Sequence, residues 1–279
     1  MSAGRLTVIA TPIGNLGDLS PRGAEALRQA DLVACEDTRR TATLLRAAGS
    51  TAPMVPAHEH NEAARAEDLV RRMRTGAQVA LVTDAGMPGV SDPGGRIVRA
   101  AALAGVEVEV VPGPSAVETA LAASGFPADG GFLFVGFPPR KAAERALLLD
   151  EIARSLRPVV LFESPKRLPA LLADLAARDP SRGVAVCREL TKMHEQVLRG
   201  PAAEIAGRVA TPPKGEVTVV VHGSTEAGGS ERDLAGMTEL LLDAGLSASQ
   251  TAGALAALGL ARRNAAYQVA LEAASRRSR

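Results

Sequence analysis

The 279 residues contain no tryptophan, one tyrosine (Tyr267) and five phenylalanines, so any core must be built from Ala, Val and Leu. Only two cysteines occur, Cys35 and Cys187, far apart and in no metal-type pair. They read as reduced core thiols of a cytosolic protein and exclude a disulfide framework. No run approaches the ~18 consecutive apolar residues of a membrane span. The stretch 252–261 is apolar but short and rich in Ala and Gly, which fits a helix pair. No basic segment followed by a long apolar one precedes the first strand pattern at 6–10, so no secretory signal is visible and the expected location is the cytoplasm. The net charge of only +1 excludes a strongly basic arm as the main source of nucleic-acid affinity, and any such partner must be held by a local patch.

Signature motifs are missing too. No G-x-G-x-x-G follows the first strand, which leaves a dinucleotide site, or a cofactor site built that way, unsupported. The absence of G-x-x-x-x-G-K-[ST] argues against a P-loop nucleotidase, and that of G-x-S-x-G against a hydrolase elbow.

What is present is an α/β alternation. Strands are predicted at 6–10, 32–35, 79–83, 106–111, 132–136, 159–162, 184–188 and 217–222. Helices are predicted at 21–30, 41–48, 61–75, 94–104, 115–124, 142–155, 167–177 and 202–210. Ser20 before Pro21 is a cap residue followed by proline at the first helical position. With this length the expectation is two domains, 1–112 and 113–223, hinged at Pro112-Gly113-Pro114. A glycine-rich linker at 224–231 and a helical tail at 232–279 follow. The tail pattern gives helices at 232–244, 247–258 and 262–276, turns at Gly245 and Gly259, and N-cap duty for Ser247 and Ser249.

Glycine and proline concentrate after the strands of the first half: Thr11 to Asp18, Asp84 to Gly89, Ser91 to Gly94 and Pro112 to Ser115. Ligands bind beyond the carboxyl ends of strands in α/β sheets, and glycine lets backbone approach them closely. Each loop alone is equally well a tight turn; together they read as the lining of one cleft. The densest polar cluster, His58-Glu59-His60-Asn61-Glu62, admits three readings: a metal site short of ligands, a solvated loop capping the next helix, or a polar wall of a substrate site. The turns Glu163 to Arg167 and Arg188 to Lys192 are either surface ion pairs or phosphate-facing rims. The pairs Arg71-Arg72, Arg262-Arg263 and Arg276-Arg277 are either solvated faces or phosphate contacts.

The segments Val8 to Asp18, Glu36 to Arg39, His58 to Glu62, Thr83 to Pro88, Ser91 to Gly94, Pro112 to Pro114, Phe162 to Ser164, Arg188 to Lys192 and Lys214 to Glu216, in this order, resemble the ribosomal RNA branch of the tetrapyrrole methylase superfamily, the class III methyltransferases that use S-adenosylmethionine (SAM). The resemblance covers about residues 5–222. Thr83 stands where Ser is common, and Leu161-Phe162 where an aromatic pair is usual. It implies two α/β domains with SAM in the cleft between them, a small C-terminal helical domain, and a homodimer. The implied reaction is SAM-dependent 2′-O-methylation of a cytidine ribose in 16S rRNA near the decoding centre, within the small ribosomal subunit. Matched motif by motif, the implied cofactor residues are Pro12, Asp84, Ala85, Gly86, Val90, Ser91, Ser115, Ala116, Phe162, Leu190 and Glu216.

A sulfonium methyl is already activated, so no metal is expected. The chemistry needs alignment of the ribose oxygen and removal of its proton. Glu36, Asp37, His58 and Glu62 are candidates to accept that proton, and Arg39, Lys166 and Lys192 to hold phosphates or lower the hydroxyl pKa. With so few aromatics, recognition by charge and by the shape of folded RNA is expected. Two other functions stand beside this one: methylation of a tetrapyrrole or other small molecule, and a catalytically silent RNA-binding module in ribosome assembly.

Overall fold

The computed structural model describes residues 4–58, 61–224 and 231–277. The chain forms two compact units. The first comprises residues 1–119 with 189–195; the second comprises 120–188 with 196–279. Pro112-Gly113-Pro114 thus lies inside the first unit, and the chain leaves that unit only after Thr119.

In the first unit β1 (Arg5–Ile9), β2 (Leu32–Cys35), β3 (Met54–Pro56), β4 (Gln78–Leu81) and β5 (Glu107–Val111) form one sheet in the order β3-β2-β4-β1-β5, with every pairing parallel. Both faces of the inner strands β1, β2 and β4 are buried, as is usual in parallel sheets. Alternation along the strands divides the apolar residues between two layers. Leu6, Val8, Leu32, Val79 and Leu81 pack on Leu69 and Met73 of α3 (Glu62–Arg74) and Ile97 and Ala101 of α4 (Gly95–Leu103). Ile9, Val33, Cys35, Ala80 and Val82 pack on Leu27 of α1 (Pro21–Gln29) and Leu44 and Leu45 of α2 (Thr38–Ala48).

Strand β3 escapes the sequence pattern because it is three residues long and ends in proline, which a sheet tolerates at its edge. Helix α2 starts three residues earlier than its apolar period indicates. The Asp37 carboxylate accepts the Arg39 backbone N–H as an N-cap and draws Thr38 to Arg40 into the first turn.

The second unit carries a mixed sheet, β6-β7-β10-β8-β9, from β6 (Leu133–Phe134), β7 (Val159–Glu163), β8 (Gly183–Arg188), β9 (Gln196–Pro201) and β10 (Val217–Val221). Only β6 and β7 are parallel; β10 runs antiparallel to both β7 and β8, and β9 antiparallel to β8. Val159, Leu161, Val184, Val186, Val217, Val219 and Val221 meet the apolar stripes of α6 (Ala142–Arg154), α7 (Leu168–Arg178) and α8 (Ala202–Arg208). Strand β9, with Arg199-Gly200-Pro201, reads as a loop in sequence; six backbone pairings to β8 make it the edge strand. Helix α5 (Ala116–Ser124) runs from the first unit into the second, where Ala120 O lies 3.8 Å from the buried Cys187 thiol.

The tail is three helices, α9 (Glu231–Asp243), α10 (Ala248–Ala257) and α11 (Arg263–Arg277), around a small core of Ala252, Leu255, Ala261 and Ala266. Ser247 caps α10 in a full capping box with Gln250, whereas Ser249, offered as a second cap, lies inside the helix. Gly245 and Gly259 both take positive φ, as turns do. Of the proposed linker, residues 225–230 lie outside the described residues. Among the described residues no helix is long and apolar enough to cross a membrane.

Candidate active site

Because every strand of the first sheet is parallel, the segments following β1, β2, β3, β4 and β5 all emerge at one edge. The topology therefore brings Pro12, Glu36, Asp37, His58, Asp84, Ala85, Gly86, Val90, Ser91 and Ser115 to that edge. Two of its loops are joined directly. Thr11 and Gly86 exchange backbone hydrogen bonds of 2.9 and 3.0 Å, and the buried Thr11 hydroxyl donates to Thr83 O at 3.2 Å. Gly86 holds φ +83°, which a β-branched residue adopts only under strain. Leu190 belongs to the segment 189–195, which packs with the first unit. That segment meets the β1 loop so closely at Gly14 that a Cβ there would fall 2.9 Å from Leu190 O and within clashing distance of Thr191 and Lys192.

All three non-glycine residues with positive φ among the described residues lie in these loops: Ser91, Glu189 and Thr191. Backbone held in this sparsely populated region concentrates at ligand-binding sites. Two of the three flank Leu190. The Ser115 hydroxyl bonds the Glu118 carboxylate in the first turn of α5, next to Ala116.

The four candidate proton acceptors differ sharply in surroundings. Asp37 accepts from the side chain and the backbone of Arg39, and its backbone N–H donates to Asp84 Oδ1 at 3.2 Å. The Arg39 hydrogen bonds hold the Asp37 carboxyl down at about 2, which makes it a weak base. Glu62 is buried, and its Oε1 accepts the backbone N–H groups of Gly94 and Arg96, each at 2.8 Å. It thereby caps α4 from another helix and ties down the end of the loop that carries Val90 and Ser91. His58 forms the turn into α3, its N–H donating to Asn61 Oδ1 at 2.8 Å and its carbonyl accepting from Asn61 and Glu62. Glu59 and His60 of the same cluster lie outside the described residues. Glu36 accepts from the Thr83 hydroxyl at 3.3 Å.

Asp92, passed over as a proton acceptor in the sequence, emerges beside Glu36. Half-burial raises its carboxyl to about 6, the charges of Glu36 and Asp84 push the same way, and a Thr83 hydrogen bond opposes them. That value suits a proton acceptor near neutral pH better than the Asp37 value does. The sequence signal was its place in Ser91-Asp92-Pro93-Gly94, but nothing local reveals the acidic neighbours, which come from the segment after β2 and from the start of the β4 loop. Among the described residues no cluster of His, Cys, Asp and Glu is arranged to hold a metal ion.

The cation candidates separate as well. Arg39 is almost fully exposed and paired with Asp37 at 2.8 Å, and Lys192 is paired with Glu189 at 2.8 Å. Arg71 and Arg72 pair with Asp68 one turn away, a solvated helix face. In the second unit Phe162 and Lys166 stand at the carboxyl end of β7. Glu216 precedes β10, whose Val217 pairs with Glu163, so Phe162, Lys166 and Glu216 share one sheet edge. Arg167 turns inward, onto the fully buried Glu163 carboxylate at 3.2 Å, and is no phosphate-facing rim.

Residues 5–206 match the family of tetrapyrrole (corrin/porphyrin) methylases. The chain belongs to that family of methyltransferases. It is 41% identical over 274 residues to a Synechocystis protein named ribosomal RNA small subunit methyltransferase I, covering 96% of this chain and 98% of that one. A Mycobacterium bovis protein of the same name is 48% identical over 227 residues, 80% of this chain and 79% of that one. Among solved structures, uroporphyrin-III C-methyl transferase from Thermus thermophilus, complexed with S-adenyl homocysteine, superposes with a TM-score of 0.56 at 20% identity. That match covers 78% of this chain and 97% of that one, and it establishes the shared fold.

Proposed function

We propose that this member of the tetrapyrrole methylase family uses SAM to methylate 16S rRNA, at the 2′-hydroxyl of a cytidine ribose near the decoding centre. The observation that supports this reading most is the 41% identity that runs through 96% of the chain, tail included, to a protein named for small-subunit rRNA methylation. The enzyme acts in the cytoplasm as a homodimer, on RNA within the small ribosomal subunit.

The residues present suit SAM. Backbone without a side chain at Gly86, small residues at Ala85 and Ala116, apolar Val90, Leu190 and Phe162, and carboxylates at Asp84 and Glu216 match a ligand that joins a purine, a ribose and a charged amino acid. Pro12, Ser91 and Ser115 complete the proposed set. When bound, SAM supplies a methyl group on a sulfonium, which needs no metal activation. The chain then has two tasks. The strained, cross-bonded loops fix position, and alignment of this kind contributes several kcal/mol. A carboxylate takes up the ribose proton, with Glu36 and Asp92 the best placed by environment. Arg39, Lys166 and Lys192 neutralise phosphate charge around the target, and Glu62 holds the Val90–Gly94 loop in place.

The deciding experiment incubates the protein with methyl-labelled SAM and small ribosomal subunits, naked 16S rRNA or a precorrin-type tetrapyrrole, and then maps 2′-O-methyl positions in the RNA. Label at one cytidine ribose supports the proposal. Label on the base, or on the tetrapyrrole alone, overturns it. The tetrapyrrole reading draws on the solved structures that share the fold.

A further inference from the structure

One of the chain's five phenylalanines is spent on the surface. Phe137 follows β6 and is 58% exposed. Single exposed apolar residues are common, so exposure alone decides nothing. Its mounting is what stands out. The next residue, Pro138, is buried. The carbonyls of Pro138 and Pro139 accept hydrogen bonds from Arg167 Nη2 at 2.7 and 3.2 Å, and Arg167 is anchored in turn on the buried carboxylate of Glu163. The Phe137 ring rests against Phe162 at 5.4 Å between centroids, and Phe162 meets Phe134 edge-on at 5.0 Å. The ring is therefore supported from the protein side by an aromatic cluster and open to solvent on the other, in a loop fastened by a buried ion pair.

The charge around it has one dominant sign. Arg140 and Lys141 continue the loop, and Lys166 precedes the anchoring arginine. Lys141 is paired with Glu144 at 2.9 Å. Arg140 and Lys166 are exposed and have no ion-pair partner among the described residues. A rigid, half-open aromatic ring flanked by two uncompensated cations is the arrangement that receives an unstacked base between phosphates.

We propose that Phe137 is a stacking platform for an unpaired RNA base, with Arg140 and Lys166 taking the neighbouring phosphates. This rests on the rRNA reading above and adds a recognition element to it: part of the substrate is read as a splayed single strand, beyond the charge and shape expected from composition.

Because the chain has no tryptophan, Phe137→Trp introduces its only indole. Its fluorescence should be quenched saturably by a short single-stranded oligoribonucleotide, with SAM absent as well as present. Phe137→Leu, which keeps apolar bulk but no π face, should weaken binding of that RNA roughly 5- to 100-fold at unchanged SAM affinity. Replacing Arg140 or Lys166 with Ser should each lower the slope of log affinity against log salt by about one.

Emission that RNA leaves unchanged, or a Phe137→Leu variant with wild-type RNA affinity, would each overturn the proposal. A changed molecular mass of that variant in solution would do so too, because it would assign the patch to self-association. These readouts need no methyl transfer. A wild-type protein that binds RNA through Phe137 but fails to methylate subunits would instead count against the function proposed above.

Discussion

Replacing Glu62 separates a chemical role from a structural one. Its buried Oε1 accepts two backbone N–H groups at 2.8 Å at the start of α4, where Gly94 offers no side-chain cap, and the Arg96 guanidinium approaches Oε2 at 4.0 Å. Glu62→Ala leaves both donors without an acceptor. At about 1.5–3 kcal/mol for each hydrogen bond to a charged group, the loss is about 3–6 kcal/mol, a large part of a typical stability of about 5–15 kcal/mol. Glu62→Gln keeps an acceptor oxygen and gives up only the charge at the helix N-terminus, about 0.3–1 kcal/mol.

Urea denaturation should therefore show a large fall in midpoint for Ala and a small one for Gln. Hydrogen exchange at the Gly94 and Arg96 amides should accelerate by roughly 10²-fold or more in the Ala variant, the equivalent of about 3 kcal/mol. Single-turnover methylation should fall in Ala and be largely restored in Gln. A Gln variant with wild-type stability and exchange but a rate down more than ~10²-fold would refute the reasoning and make Glu62 the proton acceptor.

Asp92→Asn should lower single-turnover methylation by ~10²-fold or more and abolish a rise in rate centred near pH 6; an unchanged pH profile removes Asp92 from the chemistry. Its folded-state pKa lies above the ordinary value of 3.8, so its contribution to stability is present below about pH 4 and is lost as pH rises through about 6. The same Asn variant should then be more stable than wild type at pH 7–8, by about 1–2 kcal/mol once solvent exposure is discounted, and an Asn variant of equal or lower urea midpoint there would contradict this. Asp37→Asn, which removes a carboxylate already held near 2, should cost less than about tenfold in rate. A larger loss at unchanged SAM affinity would return Asp37 to the list of bases. Gly86→Val places a branched side chain at φ +83° in the Thr11 bridge and should abolish SAM binding in calorimetry while the circular dichroism of the fold persists. Wild-type affinity in that variant removes the loop from the site.

The sequence by itself determined the alternation of strands and helices, because period-2 and period-3.6 apolar patterns are local and survive without knowledge of neighbours. It also marked the strand-end loops, since glycine and proline record backbone geometry residue by residue, and the caps at Ser20 and Ser247, which act within one turn. What it left unread depends on partners distant in the chain. Strand β9 exists because β8 pairs with it, and β3 because β2 does; neither short segment has a period of its own. Glu62 was one candidate proton acceptor until α4 placed two N–H groups against it, and the turn holding Arg167 was open between an ion pair and a phosphate rim until Glu163 and the prolines drew that arginine inward. Asp92 acquired its raised pKa first from burial and then from the charges of Glu36 and Asp84, more than fifty and eight residues back in the chain. Residue types and backbone preferences are written locally, whereas burial, ion pairing and proton affinity are properties of the groups that the fold brings within a few ångströms.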